Sequence, residues 1–428
     1  MNFIMMKNKL LAFKAELLSY TQKEKLFILF AMICGFCITA EYSITKPISN
    51  SIFITHYSAS LYPYAWLLTV PINLLIVALY NRFLPRLGCF KMFLITVGLT
   101  MGMNCISGLY ISKISFLPFL LYILKDIYVL LMFQQLWSVI HSVTKIARAK
   151  YLYGVLFGVG GSGAILGSMI PGFFAVKVGS EHLLFMTIPI YLLFILFYYL
   201  LLQYSGFLGS NEETLSIKKS SQKISQGMKL ILSSTTLKFI LLIVILMQFS
   251  STILDFQFNS YLAKTLPDQD LRTEFYGKIW GIVNISKIFL QFFATFLLVE
   301  FLGLRKSHFV VPGVLLFNSI GCLFYPSFPM ITYSFGVIKA FDYSLFNIIK
   351  EMLYVPLTTE EKFKAKAIID VFAYRTAKAF ASVVIIGLQV FIPTKLPYAF
   401  SYGPLCLFLV WMSLAYFMFK QEKIAFGV

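Results

Sequence analysis

The sequence predicts an all-α integral membrane protein, with about twelve transmembrane helices in two six-helix halves. Three observations carry that expectation. Hydrophobic residues make up 59% of the 428, charged residues only 13%, and the mean hydropathy is +0.81. The apolar residues gather into runs of about 20, the length one helix needs to cross ~30 Å of hydrocarbon. One long polar interval, Gly209 to Ser234, cuts the series near its middle.

At the amino terminus, Leu10, Phe13, Leu17 and Leu18 recur at helical spacing among Lys9, Lys14 and Glu16. Residues 1–25 therefore read as a cytoplasmic amphipathic segment lying on the inner leaflet. The basic lead runs into a full-length span with no clear small-residue cleavage site, so the first crossing reads as retained rather than as a signal peptide. The first six-helix bundle, 26–207, holds spans near 26–55, 61–83, 89–111, 114–143, 149–178 and 182–207. A cytoplasmic linker, 208–234, carries the polar string SNEETLSIKKSSQKISQG. The second bundle, 235–428, holds spans near 235–263, 274–303, 308–328, 330–357, 365–391 and 398–421. Little chain is left for a soluble domain, so the membrane part must carry the function.

The basic residues test this count independently, because short cytoplasmic loops are enriched in Lys and Arg. With the amino terminus inside, alternate loops carry Arg82, Arg86 and Lys91; Lys145, Arg148 and Lys150; Lys218, Lys219 and Lys223; Arg305 and Lys306; and Lys362, Lys364 and Lys366. The opposite loops hold little more than His56, Lys113, Lys177, Lys264 with Arg272, and Lys395. Topology and attraction to an anionic inner leaflet thus account for most of the +18 formal charge. Nucleic acid is excluded as a partner, since no basic domain stands outside the membrane.

Two motifs are decoys. Cys34-Gly35-Phe36-Cys37 has CxxC spacing, but a redox or metal pair needs an accessible, polarised setting, and these cysteines lie in an apolar span. They read as small apolar helix residues. Gly158-Val159-Gly160-Gly161-Ser162-Gly163 satisfies GxGxxG, yet the strand and βαβ unit that a dinucleotide site requires have no place inside a membrane-length segment. Small residues there, with Gly167 four positions beyond Gly163, instead predict close helix packing. A third pattern is an internal echo. Pro85-Arg86-Leu87-Gly88-Cys89-Phe90-Lys91 after the second span resembles Phe301-Leu302-Gly303-Leu304-Arg305-Lys306 after the eighth, as parallel halves with a substrate site at the midplane would require.

What remains is charge at membrane depth, which is expensive and marks polar pathways or helix pairs. The first half contributes Glu41, Lys46, Lys125, Asp126 and His141, the last read as a packing hydrogen bonder. The second contributes Asp255, Asn259, Lys287, Lys339, Asp342, Lys350, Glu351, Asp370, Arg375 and Lys378. Basic groups converging on one cavity make an anion site, and carboxylates hold it closed or exchange partners as the carrier alternates. The expected substrate contacts are Lys46, Lys125, Asp255, Asn259, Lys287, Lys339, Arg375 and Lys378. Glu41, Asp126, Lys350, Glu351 and Asp370 are the expected gating or charge-pair residues. Among the basic contacts, Arg375 and Lys378 come first.

A family resemblance gathers on the same residues. Tyr343-Ser344-Leu345-Phe346, Lys350-Glu351-Met352, Tyr354-Val355-Pro356-Leu357 and Lys364-Ala365-Lys366-Ala367-Ile368-Ile369-Asp370-Val371 resemble the signature of the bacterial and plastid ATP/ADP translocases, with Arg375 and Lys378 matching its basic residues. Asn347 stands where the family has aspartate, and Asp342 takes the place of a lysine. In the first half, Glu41-Tyr42-Ser43-Ile44-Thr45-Lys46 resembles the family's NYTILR, while Ser49 and Asn50 replace its next lysine and aspartate.

The resemblance implies a major-facilitator-like fold and a secondary transporter that moves a nucleotide by alternating access, through ATP/ADP exchange or related uptake. The alternative is a proton-coupled carrier of the same fold for another organic anion or cofactor, motivated by Ser49 and Lys125. An enzyme is not expected: no HExxH, GxSxG or clustered acidic metal motif is present, and no cofactor or metal ligand set is read. The expected partners are a nucleotide or phosphorylated metabolite, protons as in some relatives, and the lipid bilayer, with a monomer sufficient. The expected location is a bacterial inner (cytoplasmic) membrane, multi-pass, with both termini cytoplasmic.

Overall fold

The computed structural model describes residues 20–143, 146–205, 224–354, 357, 366, 368–393 and 396–421. The amphipathic stretch up to residue 19, most of the 208–234 linker, and Lys145, Lys362, Lys364 and Lys395 lie outside the described residues. So do the side chains of Arg148, Lys150 and Asp370. Among the described residues the chain is helical, without strands.

Helix α1 (Gln22–Tyr57) opens with a reciprocal cap, in which the Thr21 backbone N–H donates to the Glu24 carboxylate at 2.8 Å and the Glu24 N–H donates to the Thr21 hydroxyl at 3.3 Å. Helices α2 (Tyr62–Tyr110), α3 (Leu117–Val143), α4 (Ile146–Val178) and α5 (Thr187–Ser205) follow. The end of the expected linker is itself helical, α6 (Ile224–Ser233), and after it come α7 (Thr235–Thr265), α8 (Gln269–Phe289), α9 (Thr295–Phe324), α10 (Phe328–Phe341), α11 (Asn347–Leu353), α12 (Tyr374–Phe391) and α13 (Leu396–Gln421). Asp268 caps α8, its carboxylate accepting from the Leu271 N–H at 2.8 Å.

Eight described helices are long and apolar enough to cross a membrane. One of them, Ala59–Tyr110, has 52 residues, about 78 Å at 1.5 Å per residue, which is two crossings. The expected break between 61–83 and 89–111 is therefore a bend rather than a loop. It falls at Gly88 (φ 76°, ψ 167°), a backbone conformation that only glycine adopts readily. Gly303 bends α9 with the same geometry (φ 73°, ψ 164°), so the two echoed segments share a backbone as well as a sequence pattern. The expected spans 274–303, 330–357 and 365–391 hold most of the membrane charge of the second half. Each contains a π-helical turn: Leu290–Ala294, Asp342–Phe346 and Ile368–Ala373. Such turns recur at functional sites.

The chain divides into two compact units, one of Met1–Asn50, Leu75–Ser216 and Tyr276–Lys278, the other of Ser51–Leu74, Ile217–Phe275 and Ile279–Val428. In the first, Cys34, Ile38, Phe93, Met132, Tyr191 and Tyr198 anchor a core drawn from α1, α2, α3 and α5. Cys34 and Cys37 are buried free thiols there, packed as apolar residues. In the second, α7 is central and packs on α10, α12 and α13, with Ile243, Met247, Ile338, Phe408 and Trp411 in its core. The outer surface is greasy: Leu99, Phe317 and Phe391 are 71%, 78% and 83% exposed, an exposure suited to lipid rather than water.

The GxGxxG segment packs as small residues do. Gly160 accepts a hydrogen bond from Thr39 Oγ1 at 2.6 Å, and a Cβ on Gly163 would meet the Phe36 carbonyl. One on Gly167 would meet the Ala40 carbonyl, so α4 lies backbone to backbone on α1.

Candidate functional site

Each unit holds its own buried polar cluster. In the first unit, Glu41 is 1% exposed on α1. Its carboxyl accepts from Thr45 Oγ1 at 2.6 Å, from Asn104 Nδ2 at 3.2 Å and from the Tyr128 hydroxyl. Asn104 Nδ2 also donates to Thr187 Oγ1 at 3.1 Å, tying α2 to α5. Next to Glu41 on the same helix, Tyr42 donates to Asp126 Oδ1 at 2.7 Å. Lys125 lies 3.6 Å from Asp126 Oδ2, donates to the Tyr122 carbonyl at 2.8 Å and sits 3.4 Å from the Tyr122 ring centroid. Lys125 is thus 2% exposed and engaged within the helix bundle. Lys46 lies 5.2 Å from the Tyr42 ring centroid.

In the second unit the cluster contains an ion pair as well as neutral contacts. Lys339 donates to Asp255 Oδ2 at 2.7 Å and to Ser251 Oγ at 2.8 Å, joining α10 to α7. Asn259 is turned to its own helix, donating to the Asp255 carbonyl at 2.7 Å. Buried Asp342, at the start of the π turn, accepts from Gln248 Nε2 at 3.1 Å on both oxygens and from the Tyr374 hydroxyl at 3.4 Å. Lys350 lies 3.6 Å from Glu351, which also pairs with Lys366 at 2.5 Å. Lys378 Nζ lies 5.0 Å from the Trp66 ring centroid.

Lys287 on α8 and Arg375 on α12 differ from these. Both side chains are half-buried, and among the described residues neither forms an ion pair or hydrogen bond. Of the expected basic contacts, then, Lys125 and Lys339 are neutralised by Asp126 and Asp255, whereas Lys287 and Arg375 keep their charge unmatched.

Sequence reasoning named the charges but missed their neutral partners. Gln248, Tyr374, Asn104, Tyr128 and Thr45 look like ordinary polar residues in apolar runs, and only the fold brings them to Asp342 and Glu41. No group of three or more His, Cys, Asp or Glu side chains suited to a metal occurs among the described residues.

Residues 327–421, covering α10 to α13, match the family model of the TLC ATP/ADP transporters. The chain is 25% identical over 293 residues to ADP,ATP carrier protein 1 of Chlamydia trachomatis, an alignment covering 59% of this chain and 55% of that protein. It is also 25% identical over 312 residues to ADP,ATP carrier protein 1 of Rickettsia typhi, covering 64% of this chain and 61% of the relative. The match thus spans only about three fifths of these relatives' lengths. Among solved structures, a point mutant of the nucleoside transporter NupG aligns with a TM-score of 0.65 at 12% identity, over 91% of this chain and 99% of its own. The xylose transporter XylE from E. coli aligns with a TM-score of 0.59 at 12% identity, over 94% and 98%. At such identity the likeness is one of fold, the major-facilitator type. Together with the signature on α10 to α12, the matches make the chain similar to the ADP,ATP carrier proteins, most specifically over residues 327–421.

Proposed function

We propose that this multi-pass membrane protein is a secondary transporter, not an enzyme, and that it moves a nucleotide by alternating access, as ATP/ADP exchange or related uptake. The observation that carries this reading is the pair of unmatched cations. A Lys or Arg buried in a membrane span without a counter-anion is unfavourable, and an anionic substrate relieves it. A nucleoside polyphosphate presents several charged oxygens that accept from such donors. Lys287 and Arg375 are the primary phosphate contacts, with Lys378 three positions beyond Arg375 in the sequence. Lys339 and Asp255, already joined at 2.7 Å, act as a pair that opens or closes with the carrier. Lys350 and Glu351 do the same near the inner loop, where Lys366 joins them.

The chain is built of parallel six-helix halves, 26–207 and 235–428, a reading supported by the matched bends at Gly88 and Gly303. The bias of basic loops supports a bacterial inner membrane with cytoplasmic termini. A single chain suffices for the cycle.

The test is uptake into liposomes reconstituted with the purified protein and loaded with unlabelled nucleotide. Labelled ATP, ADP, GTP or UTP should enter above the level of protein-free controls. Arg375→Ala or Lys287→Ala should lower that uptake at least tenfold, the loss of a charged hydrogen bond of about 1.5 to 3 kcal/mol, with membrane insertion intact. Absence of uptake of all four nucleotides would overturn the reading.

A further inference from the structure

We propose that Glu41 is a proton-binding site whose loading and release accompany movement of the anionic substrate. The proposal rests on the transport reading above and adds the second cargo.

Every group that meets the Glu41 carboxyl is neutral. Thr45, from its own helix α1, donates at 2.6 Å; Asn104, from α2, donates at 3.2 Å; Tyr128, from α3, donates to the other oxygen. From α5, Thr187 holds Asn104, and the buried Tyr191 hydroxyl stands beside the carboxyl. Helix α4 meets α1 through Gly160, Gly163 and Gly167, which bring no charge. The described charged residues at membrane depth on α1 and α3 are engaged elsewhere: Lys46 with the Tyr42 ring, Lys125 with Tyr122 and Asp126, and Asp126 with Tyr42. No cation therefore pairs with Glu41 among the described residues.

An ionised carboxylate so placed gives up its hydration without gaining a counter-charge. The neutral acid escapes that penalty but needs an acceptor for its proton. One is at hand. Asn104 Oδ1 is buried and accepts from no donor, and a half-turn of the amide sets this carbonyl where Nδ2 now stands, against Glu41. The cluster can thus satisfy the acid in both states, by donating to the carboxylate through Nδ2 or accepting from the acid through Oδ1.

Asp255 and Asp342 lack this freedom. Asp255 is held by Lys339 at 2.7 Å, and Asp342 shares its helical segment with Lys339 and Lys350, whose charges reach it. The step itself is simple. A proton from water on one side bonds to a Glu41 oxygen, and the same O–H bond breaks to water on the other side, with no bond of the substrate changed. Each proton carried offsets one negative charge of the substrate.

Infrared difference spectra of the purified full-length protein between acid and alkaline pH should show a carboxylic-acid carbonyl band that Glu41→Gln removes. Tyr128→Phe, which alters one hydrogen bond and keeps the carboxyl, should move the midpoint of that band without abolishing it. In proteoliposomes, an acid-outside pH gradient should raise accumulation of labelled nucleotide several-fold in the unaltered protein, and collapsing the gradient with an ionophore should remove the increase. Glu41→Gln should give no increase. A band of equal size in Glu41→Gln, or a gradient response that survives the substitution, would overturn the proposal. If no nucleotide enters at all while the band is still lost in Glu41→Gln, the nucleotide reading falls and proton binding at Glu41 stands.

Discussion

The two compact units differ in how they hold carboxyls inside the membrane. Each must keep a carboxyl buried among apolar helices. The first surrounds Glu41 with hydroxyls and an amide, whereas the second adds an ion pair, Lys339 against Asp255 at 2.7 Å, beside a buried Asp342 that takes its hydrogen bonds from Gln248 and Tyr374. A neutral shell lets a group change charge, whereas an ion pair fixes both charges for as long as it is closed. The first unit is therefore suited to hold a group that titrates and the second to hold one that switches partners, although both bend at a glycine of the same geometry.

The largest effect should come from breaking the ion pair. Lys339→Met leaves Asp255 uncompensated at 18% side-chain exposure, and unfolding in detergent should show a loss of about 3 kcal/mol. Adding Asp255→Leu should recover most of it, because removing both partners leaves no stranded charge. Failure of that rescue would mean that the pair does more than neutralise itself. The matched bends come next. Gly88→Ala and Gly303→Ala should each cost about 1 to 3 kcal/mol, since both positions lie in a region of backbone space that L side chains rarely occupy. Unequal penalties would argue against an equivalent role for the two bends. The smallest effect belongs to the neutral shell. Asn104→Ala should cost about 1 kcal/mol, the value of a neutral hydrogen bond, when thermal unfolding is followed at acid pH. At alkaline pH the loss should grow toward about 1.5 to 3 kcal/mol, as the bond then serves a charged acid.

Much of the fold was legible because membrane helices announce themselves by length and composition. Gly88 and Gly303 were visible as glycines beside basic residues, but the sequence suggested a loop at each, because nothing in it says whether the neighbouring helices continue through the turn. The candidate site was half legible. Charge in an apolar run is conspicuous, so Glu41, Lys125, Asp255, Lys287, Lys339 and Arg375 stood out. Who pairs with whom was not, since Lys339 and Asp255 are 84 residues apart and Glu41 and Tyr128 are 87 apart. Lys125 shows the difference best: it read as a substrate contact, and only the fold shows its place against Asp126 and the Tyr122 ring. The Asp370 side chain and the Lys362 and Lys364 run remain expectations from the sequence.

The π turn at Asp342–Phe346 changes the phase of the helix that contains it. A straight α-helix advances ~100° per residue, so Lys339 and Lys350, eleven positions apart, would sit within ~20° of each other on a helical wheel. A π turn holds one residue more than the wheel allows, which turns everything beyond it by roughly one residue's angle. Two lysines that a wheel aligns are thereby aimed apart, one at Asp255 and the other toward Glu351. A single extra residue, rather than a new helix, lets one membrane segment address two separate charge pairs.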